Sequence, residues 1–355
     1  MHYCGDFRTT YRKDMEIFQT PFIKVCMAVF LVFLLVLPVL KLKGEYLLKG
    51  EYLWILLQIL IASIGAVGIN ILTGYTGQIS LGQGAFLGVG AYTSAYVTAK
   101  MGLSFWVGIP AAGLVTALAG MVFGIPSLRL KGLYLAIATL ASQFILEWIF
   151  VRWESVTGGS HGITIPRPSI AGHTFSTDRS YYYIVLAVAI VMILFAANLM
   201  RTRTGRAFMA VRDHYISAEI MGIHLFKYRL LSFGISSFYA GVAGALFGHS
   251  LKYVTSEQFN IEVSIVYLAM IIIGGLGSII GSIFGAVFMI LLPKLLSVVT
   301  EMVSADIPSI ARLAISFEHG IFGLIIILFL IFEPDGLAHR WKMVKAYWKL
   351  YPFSY

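Results

Sequence analysis

Apolar runs of about 20 residues recur along the whole chain, and about 20 apolar residues are what an α-helix needs to cross a bilayer. Ten stretches fit that pattern: 22–40, 52–72, 82–99, 105–126, 133–151, 181–200, 230–250, 263–277, 279–299 and 313–332. The fold class they predict is an all-α integral membrane protein, a polytopic bundle of about ten transmembrane helices with Gly-rich broken or short central helices. The eighth and ninth stretches meet in Gly274-Gly275-Leu276-Gly277-Ser278, which is too short for a soluble loop. Half-helices or re-entrant turns are therefore expected among the ten. The first run is expected to be a retained helix, because Lys41-Leu42-Lys43 follows it rather than a small-residue cleavage site.

The pattern breaks most sharply at residues 73–98, TGYTGQISLGQGAFLGVGAYTSAYVT. This stretch lies among apolar runs, yet it is rich in Gly, Ser, Thr and Gln and carries no charge. Lipid offers no hydrogen-bonding partner, so polar or broken backbone survives at that depth only against protein or along a wet path. Gly74, Gly77, Gly82, Gly84, Gly88 and Gly90 permit close backbone approach, and Gln78, Ser80 and Gln83 supply uncharged polar side chains. The combination suits a translocation path better than an anchor. A second Gly-rich centre lies at 274–285, GGLGSIIGSIFG, and includes Gly274, Gly275 and Gly277. Two readings stand. The centres are two repeats meeting at a midplane site, or two helix-packing faces of small residues.

Two long loops interrupt the spans. Residues 152–180 (RWESVTGGSHGITIPRPSIAGHTFSTDRS) contain Pro166, Pro168 and Gly158-Gly159. Residues 201–229 (RTRTGRAFMAVRDHYISAEIMGIHLFKYR) interleave apolar Ala207, Phe208, Val211, Ile216, Ala218, Ile220 and Met221 with Arg206, Arg212, Asp213 and Glu219, and carry a helix stop at Gly222. The amphipathic part lies on lipid headgroups or docks in a partner's groove; the residues alone leave both open. Placing the N-terminus inside puts sixteen of the 26 Lys and Arg on the cytoplasmic side, as the positive-inside rule expects. Lys41, Lys43 and Lys49 run against it. An even number of spans then puts both termini in the cytoplasm. The chain is thus expected to be one membrane domain over 1–355, with a cytoplasmic segment 1–21, an outer loop 152–180, an inner loop 201–229 and a cytoplasmic tail 333–355.

Composition agrees. Hydrophobic residues make up 59% and charged residues 12% of 355, whereas a soluble domain carries about 25% charged residues. Mean hydropathy is +0.85. The net charge of +9 is explained by basic inner loops rather than by nucleic acid. Cys4 and Cys26 form neither a disulfide framework nor a zinc pattern. There is no P-loop, dinucleotide fingerprint, HExxH or GxSxG sequence, and no pair of histidines has metal-ligand spacing on one helix. Catalysis, cofactor binding and metal binding are therefore not expected of this chain. Glu147, Glu318 and His319 fall toward span ends, and no charge is central. A charge at the bilayer centre is costly and marks ion-driven carriers, so a secondary transporter is disfavoured.

Several blocks carry a family likeness. GYTGQISLGQGAFLGVGAYTSAY, SLRLKGLYLAIATLA (127–141), TGGSHGITIP (157–166), the segment 205–248, IIGGLGSIIGSIFGAVF (272–288) and FEPDGL (332–337) resemble, in order, the LivM-type permease of branched-chain amino acid ABC importers. The resemblance implies a plasma (inner) membrane permease that is not an enzyme and holds no cofactor, ATP being bound on separate subunits. It also implies a second LivH-like permease or homologous copy, two P-loop ATPase subunits, an external solute-binding protein and surrounding lipid as partners. The 201–229 loop then looks like the coupling segment for the ATPase, with Arg212, Ala218, Glu219, Met221 and Gly222 as its expected contacts. Ala218-Glu219-Ile220-Met221-Gly222 departs from the usual acidic-Ala-Ala order of such segments. The expected path residues are Gln78, Ser80, Gly82, Gln83, Gly84, Gly274, Gly275 and Gly277. Permeases of this family also carry urea, short-chain amides and other amino acids, and a passive channel for a small polar solute would suit the same uncharged lining. A membrane-embedded enzyme is the remaining class, and it lacks a catalytic constellation.

Overall fold

Residues 50–73 are apolar almost throughout, with Glu51 in the first turn, Thr73 at the end and Gln58, Ser63 and Asn70 as isolated polar positions between, and they fold into one helix buried on every side from Ile61 onward. The computed structural model describes residues 21–38, 41–42, 45–46, 50–127, 132–166, 168–170, 173–174, 177–306, 314–333 and 335–350. Within these, the helices are α1 (Pro21–Val36), α2 (Gly50–Thr73), α3 (Gln83–Ala95), α4 (Phe105–Ser127), α5 (Leu133–Arg152) and α6 (Asp178–Arg201). Then follow α7 (Arg203–Asp213), α8 (Tyr215–Ile220), α9 (Leu225–Leu251), α10 (Ile261–Gly274), α11 (Ile279–Asp306), α12 (Ala314–Phe332) and α13 (Leu337–Leu350). The expected cytoplasmic segment 1–21, Cys4, Lys43 and Lys49 lie, apart from Pro21, outside the described residues.

Seven helical stretches among the described residues are long and apolar enough to cross a membrane: 50–73, 105–126, 133–152, 178–201, 225–251, 256–274 and 279–298. Two more, 24–36 and 320–329, are apolar but shorter. The protein is thus a polytopic helical membrane protein. The stretch expected at 82–99 is a short, 13-residue helix, α3, running into a π-helical turn at Tyr96–Lys100. Upstream of it, 77–82 is non-helical, with Gly77 at φ +74°. The stretch expected at 263–277 stops at Gly274, because Gly275 at φ 115° cannot continue a helix.

Helix α9 is central and packs on α2, α3 and α4. Its small residues explain this. A Cβ built on Gly241 would lie 2.6 Å from the Ala112 carbonyl oxygen, and one on Gly244 would lie 1.9 Å from that of Leu87. Only glycine lets these backbones touch, and in lipid such close packing replaces the hydrophobic drive between helices. Many buried hydroxyls are satisfied within their own helix: Ser63 donates to the Ile59 carbonyl at 2.7 Å and Thr116 to that of Ala112 at 2.7 Å.

A 24-residue helix such as α6 is about 36 Å long, so the 152–180 and 201–229 loops lie at opposite ends, termed distal and proximal. At the distal end Ile163–Thr164 pairs antiparallel with Tyr253–Val254 just after α9. Tyr181 at the start of α6 donates to the Leu246 carbonyl at 2.6 Å. At the proximal end the amphipathic run divides in two. His214, at φ −155° and ψ 85°, separates α7 from α8.

Candidate translocation and coupling sites

Helix α3 begins inside the bundle with Gly82 as its N-cap and no capping side chain of its own. Its first backbone N–H groups are buried in the chain and need acceptors. Other helices supply them. Gly84 N–H donates to Ser264 Oγ of α10 at 2.7 Å, and Ala85 N–H donates to Gln143 Oε1 of α5 at 2.7 Å. Ser264 Oγ donates to the same Gln143 oxygen at 3.1 Å, while Gln143 Nε2 donates to the Phe259 carbonyl at 2.7 Å. Leu81 N–H reaches Thr139 Oγ1 of α5 at 2.9 Å. Gln143, Ser264 and Thr139 are fully buried. No local pattern in the sequence marks Ser264 or Thr139, and Gln143 stands one turn before Glu147 on α5, which is half-buried.

Of the expected path residues, Gly82, Gln83 and Gly84 lie at this cap. Gln83 Nε2 donates to the Gly65 carbonyl of α2 at 3.1 Å. Gln78 Nε2 donates to Ser232 Oγ of α9 at 2.8 Å, and its Oε1 has no partner. Gln78, Ser80 and Gln83 are 2–3% exposed in the single chain. A Cβ on Gly84 would stand 2.7 Å from the Asn260 carbonyl oxygen, and one on Gly82 would stand 3.1 Å from that of Thr139. Gly274 packs on Gly281, where a Cβ would meet the Gly281 carbonyl oxygen at 2.0 Å, so α10 and α11 form a tight hairpin. Gly275 faces Ala338 of α13, and Gly277 faces Gly74 and Arg212.

The end of α2 with Gly74 and the turn at Gly277 come together at the proximal end. Asn70, in the last turn of α2, accepts from Gly277 N–H at 2.9 Å and donates to the Ser278 carbonyl at 2.8 Å and to Ser282 Oγ at 2.6 Å. Arg212 Nη1 donates to the Gly74 carbonyl at 2.9 Å.

The coupling segment splits by exposure. On α7, Ala207, Phe208 and Val211 are buried against the chain itself, with Phe208 edge-on to Tyr228 at a centroid distance of 6.3 Å. The apolar face of α7 is therefore already occupied. On α8 the outward residues are Ile216, Glu219, Ile220 and Met221, Ile220 being 83% and Met221 84% exposed. Ala218 is buried, and its carbonyl accepts from Ile223 N–H at 3.0 Å as Gly222, at φ +86°, closes the helix. Of the five expected contacts, Glu219, Met221 and Gly222 lie on the open surface, while Ala218 faces inward and Arg212 turns its Nη1 to Gly74. A cavity of about 450 Å³ lies beside them, lined by residues that include Glu219, Gly222, Phe226 and Arg229. Among the described residues no group of His, Cys, Asp and Glu is placed to hold a metal ion. The side chains of Glu318 and His319 lie outside the described residues.

The family model described as the permease component of the branched-chain amino acid transport system matches residues 52–330. The high-affinity branched-chain amino acid transport system permease protein LivM of Salmonella typhimurium is 32% identical over 86% of this chain and 74% of its own length. The LivM protein of Escherichia coli K12 matches with the same identity and coverage. The corresponding LivH protein of Escherichia coli K12 is 24% identical over 79% of this chain and 92% of its own length. No solved structure matches.

Proposed function

The chain belongs to the branched-chain amino acid transport permease family, and from that premise we propose that it is the membrane-spanning permease subunit of an ATP-binding-cassette importer moving branched-chain, hydrophobic amino acids into the cytoplasm. It is a transport subunit; ATP hydrolysis belongs to a separate chain. The observation that carries the coupling part of the reading is α8. This six-residue helix and its C-cap, Met221, present Ile216, Ile220 and Met221 outward at the proximal end, beside Glu219 and an open cavity. A helix that short cannot hold itself together through its own hydrogen bonds, and apolar side chains so exposed fit a partner's groove. The groove is assigned to a P-loop ATPase, two copies of which serve the complex.

The remaining partners follow from the family: a second permease, LivH-like or a homologous copy, and an external solute-binding protein. In this reading the membrane is the plasma (inner) membrane, the proximal end is cytoplasmic, and both termini are inside. The ten expected spans are the seven long helices, the two shorter apolar ones and the α3 stretch with its π turn. One membrane domain covers 1–355, with 152–180 outside and 201–229 and 333–355 inside. The path is assigned to the region of Gly82, Gln83 and Gly84, with Gln78, Ser80 and Gly274, Gly275 and Gly277 shaping it by holding α3 and the α10–α11 hairpin in place.

The test is reconstitution of the permeases with their ATPases and binding protein in vesicles. Ile220→Glu and Glu219→Arg should reduce ATPase association, solute-stimulated hydrolysis and labelled leucine uptake together. Uptake in vesicles that lack the ATPase, undiminished in either variant, would mean a passive channel instead.

A further inference from the structure

We propose that Arg212 and Asn70 form a latch joining the coupling loop to both Gly-rich helix breaks, so that one movement of the loop reaches α2–α3 and α10–α11 together. The inference rests on the importer reading above and adds to it the residues that carry motion inward from the docking helix.

The chain of contacts is short. Helix α7 is fixed to the bundle by Phe208 and Val211, both buried, which presents Arg212 at its last turn toward the breaks. Asp213 Oδ1 accepts from Arg212 Nε at 2.8 Å and orients the guanidinium. Arg212 Nη1 then reaches the Gly74 carbonyl, just past the end of α2. That end leaves carbonyls without helical partners and carries the negative pole of the helix, so a cation there is doubly favoured. From Gly74 the link passes to Asn70, whose carbonyl accepts from Gly74 N–H at 2.7 Å. The Asn70 side chain makes three hydrogen bonds across to the other break, at Gly277, Ser278 and Ser282. Ser278 in turn caps the start of α11, its Oγ accepting from Gly281 N–H at 3.1 Å.

The glycines show how tight the junction is. A Cβ on Gly74 would lie 1.8 Å from Asn70 Oδ1 and 2.3 Å from Gly277 N. One on Gly277 would lie 2.9 Å from Arg212 Nη1, and one on Gly77 would lie 3.2 Å from Arg212 Cγ. Three segments distant in sequence therefore meet across the Arg212 and Asn70 side chains alone, with the backbones of Gly74 and Gly277 in close approach. Elsewhere the loop is looser: α8 contributes only Ala218 to the interior. Load applied at Ile220 and Met221 thus enters the bundle through α7 and Arg212. Arg212 is a positioning residue in this scheme, acting on solute through the breaks.

The test measures leucine moved per ATP hydrolysed, in the same vesicles, for the full complex. Arg212→Gln removes the charge and Asn70→Ala removes the cross-link between breaks. Each should lower the ratio by about tenfold, as loss of a typical site-to-site coupling would, while the ATPase still co-purifies in normal amount. Arg212→Lys keeps a donor and a charge for the Gly74 carbonyl and should recover most of the ratio. Ile220→Glu serves as the contrast, since it should reduce bound ATPase. A wild-type ratio in Arg212→Gln, or in Asn70→Ala should Arg212→Gln fail to insert, overturns the latch and leaves the importer reading intact. Uptake that needs no ATPase overturns the importer reading itself.

Discussion

Gln143→Leu should be among the most damaging single substitutions in the bundle, although Gln143 touches neither loop. The side chain is fully buried and holds three groups at once: Ala85 N–H, Ser264 Oγ and the Phe259 carbonyl. Leucine has similar bulk, so little of the loss is a cavity. What remains is one backbone donor and one backbone acceptor stranded away from water. Each buried unsatisfied group costs about 1–3 kcal/mol, giving about 2–6 kcal/mol for the pair. Ser63→Ala is the comparison. That hydroxyl bonds only the Ile59 carbonyl of its own helix at 2.7 Å, and polar contacts inside membrane bundles average about 0.6 kcal/mol. The assay is denaturant unfolding of the purified protein in detergent, with hydrogen exchange read over residues 83–87. Gln143→Leu should destabilise strongly and expose the first turn of α3 to exchange, while Ser63→Ala should do neither. Equal stability of the two variants, with unchanged protection at Ala85, would refute the claim that α3 is capped from other helices.

Gly84→Leu should abolish transport and lower the yield of folded protein, because even its Cβ would meet the Asn260 carbonyl oxygen at 2.7 Å; overpacking costs typically about 1–3 kcal/mol, and normal uptake would show that α3 does not pack as described. Single cysteines at Ser169 and Ser217, in a variant lacking Cys4 and Cys26, should label from outside and inside respectively; labelling of the Ser217→Cys variant by an impermeant reagent in intact cells would invert the topology. At the end of α12, Arg340 donates to Glu333 and holds its carboxyl below the ordinary value of 4.5. A carboxyl so depressed adds stability that is full above its unfolded value and disappears as pH falls through the lower, folded one. The Gly336 turn and the start of α13 should thus gain hydrogen exchange only on acidification below about pH 4.5, and Glu333→Gln should remove that dependence.

Much of the architecture was legible along the chain. The seven long helices and the two loops were readable because a bilayer demands about 20 apolar residues per crossing, a local property that composition records directly. The two Gly-rich centres were readable too, since glycine and small polar residues at membrane depth are tolerated only where backbones are shielded or paired. The break ahead of α3 was legible as the polar, Gly-rich gap between the stretches 52–72 and 82–99, and the helices end at Thr73 and resume at Gln83; the π turn that closes α3 was not, because 82–99 carries no local mark of it. Tertiary structure alone decided the rest. That α3 takes its cap from Gln143 and Ser264 depends on partners 58 and 180 residues away, and no local pattern encodes such a distance. The same holds for the direction of Arg212. Its sequence neighbours mark an amphipathic surface segment, yet its Nη1 reaches the Gly74 carbonyl because Phe208 and Val211 have buried the face beside it and set α7 against the bundle. Membrane insertion selects on hydropathy one segment at a time, whereas polar groups are paired only when segments far apart in the chain come together in space.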